Sequence, residues 1–112
     1  MPEDGLINMM YKLSFYVPAT HLESVKQAVF SAGAGQLGNY DQCCWQTLGE
    51  GQFRPLPGSH PFIGEMHQLE TVPEYKVEMI CWEDVIRPVI AALRLAHPYE
   101  MPAYEVWVLE EL

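Results

Sequence analysis

At 112 residues, 49% hydrophobic and 19% charged, the chain is too apolar for a disordered tail and too short for a second independent core. Its formal net charge is −9, and residues 65–112 set ten acids against Lys76, Arg87 and Arg94. This field repels a nucleic-acid backbone and an anionic membrane surface, and favours a cation, a basic partner or a neutral ligand, with a local anion site still open.

Tyr11 to Val17 alternates strictly, with Tyr11, Leu13, Phe15 and Val17 on one side and Lys12, Ser14 and Tyr16 on the other, which predicts a first strand ended by Pro18. Thr20 and Glu23 have the spacing of a capping box, and Leu22, Val25, Val29 and Ala32 recur at helical period. The first helix is therefore expected over His21–Ala32, closed by Gly33 and Gly35. Gly38-Asn39-Tyr40-Asp41 is turn chemistry, and a second strand follows over Gln42–Leu48. Gly49 to Pro73 holds eight Pro and Gly in twenty-five residues, which predicts a long loop, with Phe53, Leu56, Phe62 and Ile63 packing it down in part. Tyr75–Trp82 reads as the third strand and Asp84–Ala96 as the second helix, with Pro88 tolerable only in or near its first turn. Pro98 stops that helix, and Ala103–Leu109 reads as the last strand.

The order strand, helix, strand, strand, helix, strand, with right-handed crossovers, predicts a ferredoxin-like α+β fold. It is a four-stranded antiparallel sheet with two helices on one face. The other face carries Ile80, Trp82, Ala103, Trp107 and Leu109, more apolar than a solvated face. Either the long loop covers it or copies of the chain pack together, and self-association is the expectation. Cys43, Cys44 and Cys81 make a poor disulfide framework. No apolar run approaches the ~18 residues of a membrane helix, and Met1–Met10 lacks the basic region of a leader. The expected protein is cytoplasmic, with free thiols.

Gly33-Ala34-Gly35-Gln36-Leu37-Gly38-Asn39-Tyr40-Asp41 is followed in order by four further segments. They are Gly51-Gln52-Phe53-Arg54-Pro55, Pro61-Phe62-Ile63-Gly64, Ala96-His97-Pro98-Tyr99-Glu100 and Pro102-Ala103-Tyr104. This series, from about Tyr11 to Leu109, resembles the domain inserted in bacterial Ngg-interacting-factor-three-like proteins, the dinuclear-metal family also called type-two GTP cyclohydrolase homologues. That domain is similar in fold to CutA and PII proteins, which are trimers. The resemblance implies a single CutA/PII-like domain over 1–112 that assembles as a homotrimer. The family's metal ligands lie in flanking halves that have no counterpart here, and no nucleotide motif of PII proteins can be matched. Neither a hydrolase activity nor nucleotide binding is therefore carried over.

His97 and Glu100, three apart, suit a metal or acid–base pair on a continuing helix, but Pro98 puts them on a turn. The alternative is that His97 caps the helix end and Glu100 bonds a turn amide. His60 and His67 with Cys43 or Cys44 would suit a soft metal without matching any ligand signature. Arg54 is the only basic residue between Lys26 and Lys76; it can hold an anion or lock the loop to an acid. A cysteine–histidine nucleophile pair has no support in the spacing, so no catalysis is expected.

These residues point to a non-catalytic ligand-sensing or scaffold module. Its site would be drawn from Asn39, Tyr40, Asp41, Arg54, His97 and Glu100 near a subunit junction. The alternatives are a divalent or soft metal held by His97, Glu100 and His60, and a protein-interaction domain without a small ligand.

Overall fold

The computed structural model describes residues 8–112, so the reading of Met1–Met10 as carrying no leader lies largely outside the described residues. The elements are β1 (Met10–Pro18), α1 (Leu22–Ser31), β2 (Trp45–Phe53), β3 (Glu70–Trp82), α2 (Ile86–Ala96) and β4 (Tyr104–Leu109). They form one antiparallel sheet in the order β2-β3-β1-β4, as the ferredoxin-like expectation requires.

The alternation in β1 decides the layering. Leu13, Phe15 and Val17 are fully buried and meet Val77, Met79 and Cys81 of β3. Val25 and Val29 of α1 and Val89 and Leu93 of α2 complete that core. Both helices therefore pack on one face. Cys81 is buried in it, and burial pushes its thiol up to about 11, which keeps it an inert hydrophobe. Cys43 and Cys44 are half-buried, and all three thiols are free. Pro88 is the third residue of α2, within the first turn, where a missing N–H costs no helical bond.

Three expectations need correction. No capping box forms, because a single 3-10 turn, Ala19–His21, moves the helix start to Leu22. Thr20 Oγ1 lies instead 2.9 Å from His21 Nδ1. The second strand begins at Trp45 and runs on through Gly49 and Gly51 to Phe53, while the third begins at Glu70 and includes Pro73. The loop is thus confined to residues 54–69. Proline fits at position 73 because β1 ends opposite Glu74, so β3 has a neighbour on one side only at that point.

The third correction concerns the open face. Its centre is polar: Lys12 Nζ lies 3.1 Å from Glu78 Oε1, and Tyr16 OH donates to Glu105 Oε1 at 3.1 Å. Its apolar groups include the expected Ile80 and Trp82, half-buried on β3, and Trp45 and Trp107 on the two edge strands, 70% and 58% exposed. Single-strand patterns miss this arrangement because it depends on cross-strand neighbours.

Gly33 and Gly35 both take positive φ and close α1, as expected of a C-cap. At Gly35, φ is +79° and an added Cβ would lie 2.9 Å from both Cys43 O and the Phe30 ring. Gly38 also has positive φ, +57°, but faces open space. Gly38→Ala should cost about 1 kcal/mol from backbone conformation alone, and Gly35→Ala about 2–4 kcal/mol through added overpacking. Urea unfolding of the two variants checks the order.

Candidate functional site

Pro98 forbids continuation of α2, so the helix ends with His97 in an extended conformation, φ −71° and ψ 135°. That swings its imidazole inward. Tyr99 N–H donates to Nδ1 at 3.1 Å, so Nδ1 carries no proton and Nε2–H donates to Tyr16 O at 2.7 Å. His97 is 6% exposed. Burial lowers its pKa below 6.5, against the opposing pull of the Tyr16 carbonyl and the Glu74 charge. The ring is a neutral cross-link between the end of α2, β1 and the turn that follows.

That turn presents Tyr99, whose hydroxyl donates to Glu74 Oε2 at 2.9 Å. Burial and the adjacent carboxylate push the phenol well above its ordinary value, so it remains an O–H donor. Glu74 lies across β2 where Gly51 has no side chain; a Cβ there would collide with the carboxylate. Two further rings lie near Tyr99, with centroids at 6.0 Å for Phe53 and 6.5 Å for Phe62. Phe62 also meets His21 edge-on at 5.2 Å. The 54–69 loop is fastened by His60 N–H donating to Glu100 Oε2 at 2.9 Å and by His67 N–H donating to Pro55 O at 2.7 Å. Between these parts lies a cleft of about 300 Å³, walled by Tyr16, Phe53, Phe62, Glu74, Tyr99 and Glu100 among others.

The sequence-derived candidates divide. Glu100 lines the cleft and bonds an amide of the loop, and His97 stands behind its wall. His97 does close the helix, but as a neutral ring rather than an imidazolium. Arg54 follows the end of β2, is exposed, is not in the cleft wall, and makes no ion pair with a described residue. Asn39, Tyr40 and Asp41 belong to a turn whose flanks, Leu37 and Tyr40, bridge each other. That segment is tied to the far end of the sheet: Gly35 N–H donates to Ile80 O and Trp82 Nε1–H to Gln36 O. Ile80 and Glu74 are roughly 20 Å apart along β3, so within one chain this turn and the cleft do not meet.

The metal set His97, Glu100 and His60 is not assembled. Both ring nitrogens of His97 are engaged, and no group of three or more His, Cys, Asp or Glu among the described residues is placed to hold an ion. His67, in left-handed backbone at φ 65°, and Cys43 and Cys44 form no such group either.

Sequence reasoning missed Tyr16, Phe53, Phe62, Glu74 and Tyr99 as site residues. The signal was present but unread: four of the five segments quoted for the resemblance contribute to the cleft wall, and only Gly33–Asp41 lies elsewhere.

No protein-family model matches the chain. The chain is 45% identical over 100 residues to the GTP cyclohydrolase 1 type 2 homolog of Halalkalibacterium halodurans, covering 89% of this chain and 27% of that protein. The chain thus spans about a quarter of the length of the curated relatives it matches. In structure it is similar to part of a Bacillus cereus protein related to NIF3, with TM-score 0.79, 40% identity, and coverage of 93% of this chain and 26% of that one. It is also similar to the periplasmic divalent cation tolerance protein CutA of Archaeoglobus fulgidus, at TM-score 0.65 and 13% identity, covering 92% of this chain and 86% of that one. The resemblance to the domain of the larger proteins holds, and so does the CutA-like fold.

The His97 cross-link carries a pH dependence. The unfolded chain takes up the proton near pH 6.5, while the folded chain resists it, so stability rises with pH between the two values. His97 should contribute fully above pH 6.5 and lose that contribution as pH falls. Chemical denaturation across pH should give this slope in the native chain, and His97→Asn should flatten it.

Proposed function

We propose that the chain is a non-catalytic, self-associating ligand-sensing or scaffold module of the CutA-like kind, and that its ligand occupies the cleft. The observation that carries this reading is the convergence of four separate segments on one largely apolar cleft with a few fixed polar groups, the usual make-up of a small-molecule site. Its walls hold no Cys, His or Lys, and Ser59 Oγ is held by Leu56 O at 2.7 Å. A nucleophile with its base is therefore absent among the described residues of the wall. The activity in the relatives' name belongs to proteins of which this chain matches about a quarter.

Self-association is supported by both sheet edges. Trp45 and Leu48 of β2, and Val106, Trp107 and Val108 of β4, are exposed apolar residues on strands with one unpaired side. A homotrimer is the state that the likeness to CutA suggests. A cytoplasmic setting suits the three free thiols, and no described helix is long and apolar enough to cross a membrane.

Native mass spectrometry of untagged protein tests both parts. The expected species is a closed trimer carrying a small-molecule mass that is lost in Phe62→Ala. Trp107→Glu should weaken assembly by about 2 kcal/mol, roughly thirtyfold in the dissociation constant. A bare monomer at all concentrations would overturn the assembly reading, and a trimer that never carries or accepts a small molecule would overturn the ligand reading.

A further inference from the structure

Resting on the reading of the cleft as a ligand site, we propose that its ligand is a small organic cation: an ammonium group carried on an apolar body. The cleft's charged groups are all of one sign. Glu74 and Glu100 line it, and no Lys, Arg or His does. The chain around it has a formal charge of −9, so a cation is drawn in and an anion repelled.

The carboxylates are held but not used up. Glu74 receives one hydrogen bond from the Tyr99 hydroxyl and Glu100 one from the His60 amide, while an ionised carboxylate offers about four acceptor positions. Gly51 makes the Glu74 placement possible, since any side chain there would displace the carboxylate. The ring faces add to this. The ring centroids of Phe53 and Phe62 lie 6.0 and 6.5 Å from that of Tyr99, and aromatic faces attract ammonium groups through their quadrupoles.

The same walls exclude a bare metal ion. Among the described residues no third ligating side chain joins the two carboxylates, and the remaining surface of Phe53, Phe62, Ile63 and Met101 offers a metal nothing. It suits the hydrocarbon part of an amine. A volume of about 300 Å³ admits a single-ring amine.

Three probes with one shared body separate charge from shape: benzylamine, benzyl alcohol and benzoate, protonated, neutral and ionised near neutral pH. They are titrated into the 112-residue chain at low salt, following the aromatic resonances of Tyr99 and Phe62. Benzylamine should bind about tenfold more tightly than benzyl alcohol, and benzoate most weakly. Glu74→Gln, which keeps an oxygen to accept from Tyr99, should weaken benzylamine about tenfold and leave benzyl alcohol unchanged. If benzyl alcohol or benzoate binds as tightly as benzylamine, or if neither Glu74→Gln nor Glu100→Gln affects benzylamine, the cation assignment is overturned while the cleft stands as a site. If none of the three probes moves either ring, the ligand reading of the cleft falls together with the assignment.

Discussion

The arrangement at the end of the sheet that carries the cleft depends on one neutral imidazole. His97 accepts from the Tyr99 amide and donates to the Tyr16 carbonyl, and so joins the end of α2, the turn after it and β1. The Tyr99 bond requires Nδ1 to be unprotonated, which leaves the ring uncharged with its proton on Nε2. Burial supplies that condition by penalising the charged form. With His97 in place, Tyr99 is aimed at Glu74, and the loop lies against the turn through Glu100. The cleft is therefore a consequence of how a proline-stopped helix is tied to a strand.

A second constraint is the absence of side chains. Gly49 and Gly51 lie on the same side of β2, and Glu74 of β3 lies across Gly51. Glycine in a strand ordinarily weakens it; here the strand gains a carboxylate laid over its backbone. The extension of β2 and β3 beyond the end of β1 gives the loop a place to fold back, and Phe62 reaches His21 and Tyr99 from it.

Charge and apolar surface are kept apart on the open face. Lys12 and Lys76 both approach Glu78 near its centre, while the exposed Trp45 and Trp107 stand on the two edge strands. Such a distribution leaves the centre of the open face polar and its edge strands with exposed apolar groups. The cleft, at the end of the sheet, belongs to neither region.

Much of the fold was legible in the amino-acid order. The alternation of Leu13, Phe15 and Val17, the helical stripes, and the stops at Pro18 and Pro98 are local signals with fixed periods, and they determine six elements and their layering. The strand limits were less legible. Gly49, Gly51 and Pro73 read as loop residues because propensity takes no account of a partner strand, whereas β2 and β3 hold each other extended through their pairing. The site was legible only as scattered segments. Glu100 was named, but Asn39, Tyr40 and Asp41 lie at the opposite end of the sheet, and Tyr16 and Glu74 carried no mark of function. Local periodicity records which face a residue takes; which residues from positions 16, 53, 62, 74 and 99 share a wall is decided by strand register and by one histidine cross-link, and neither is encoded in spacing along the chain.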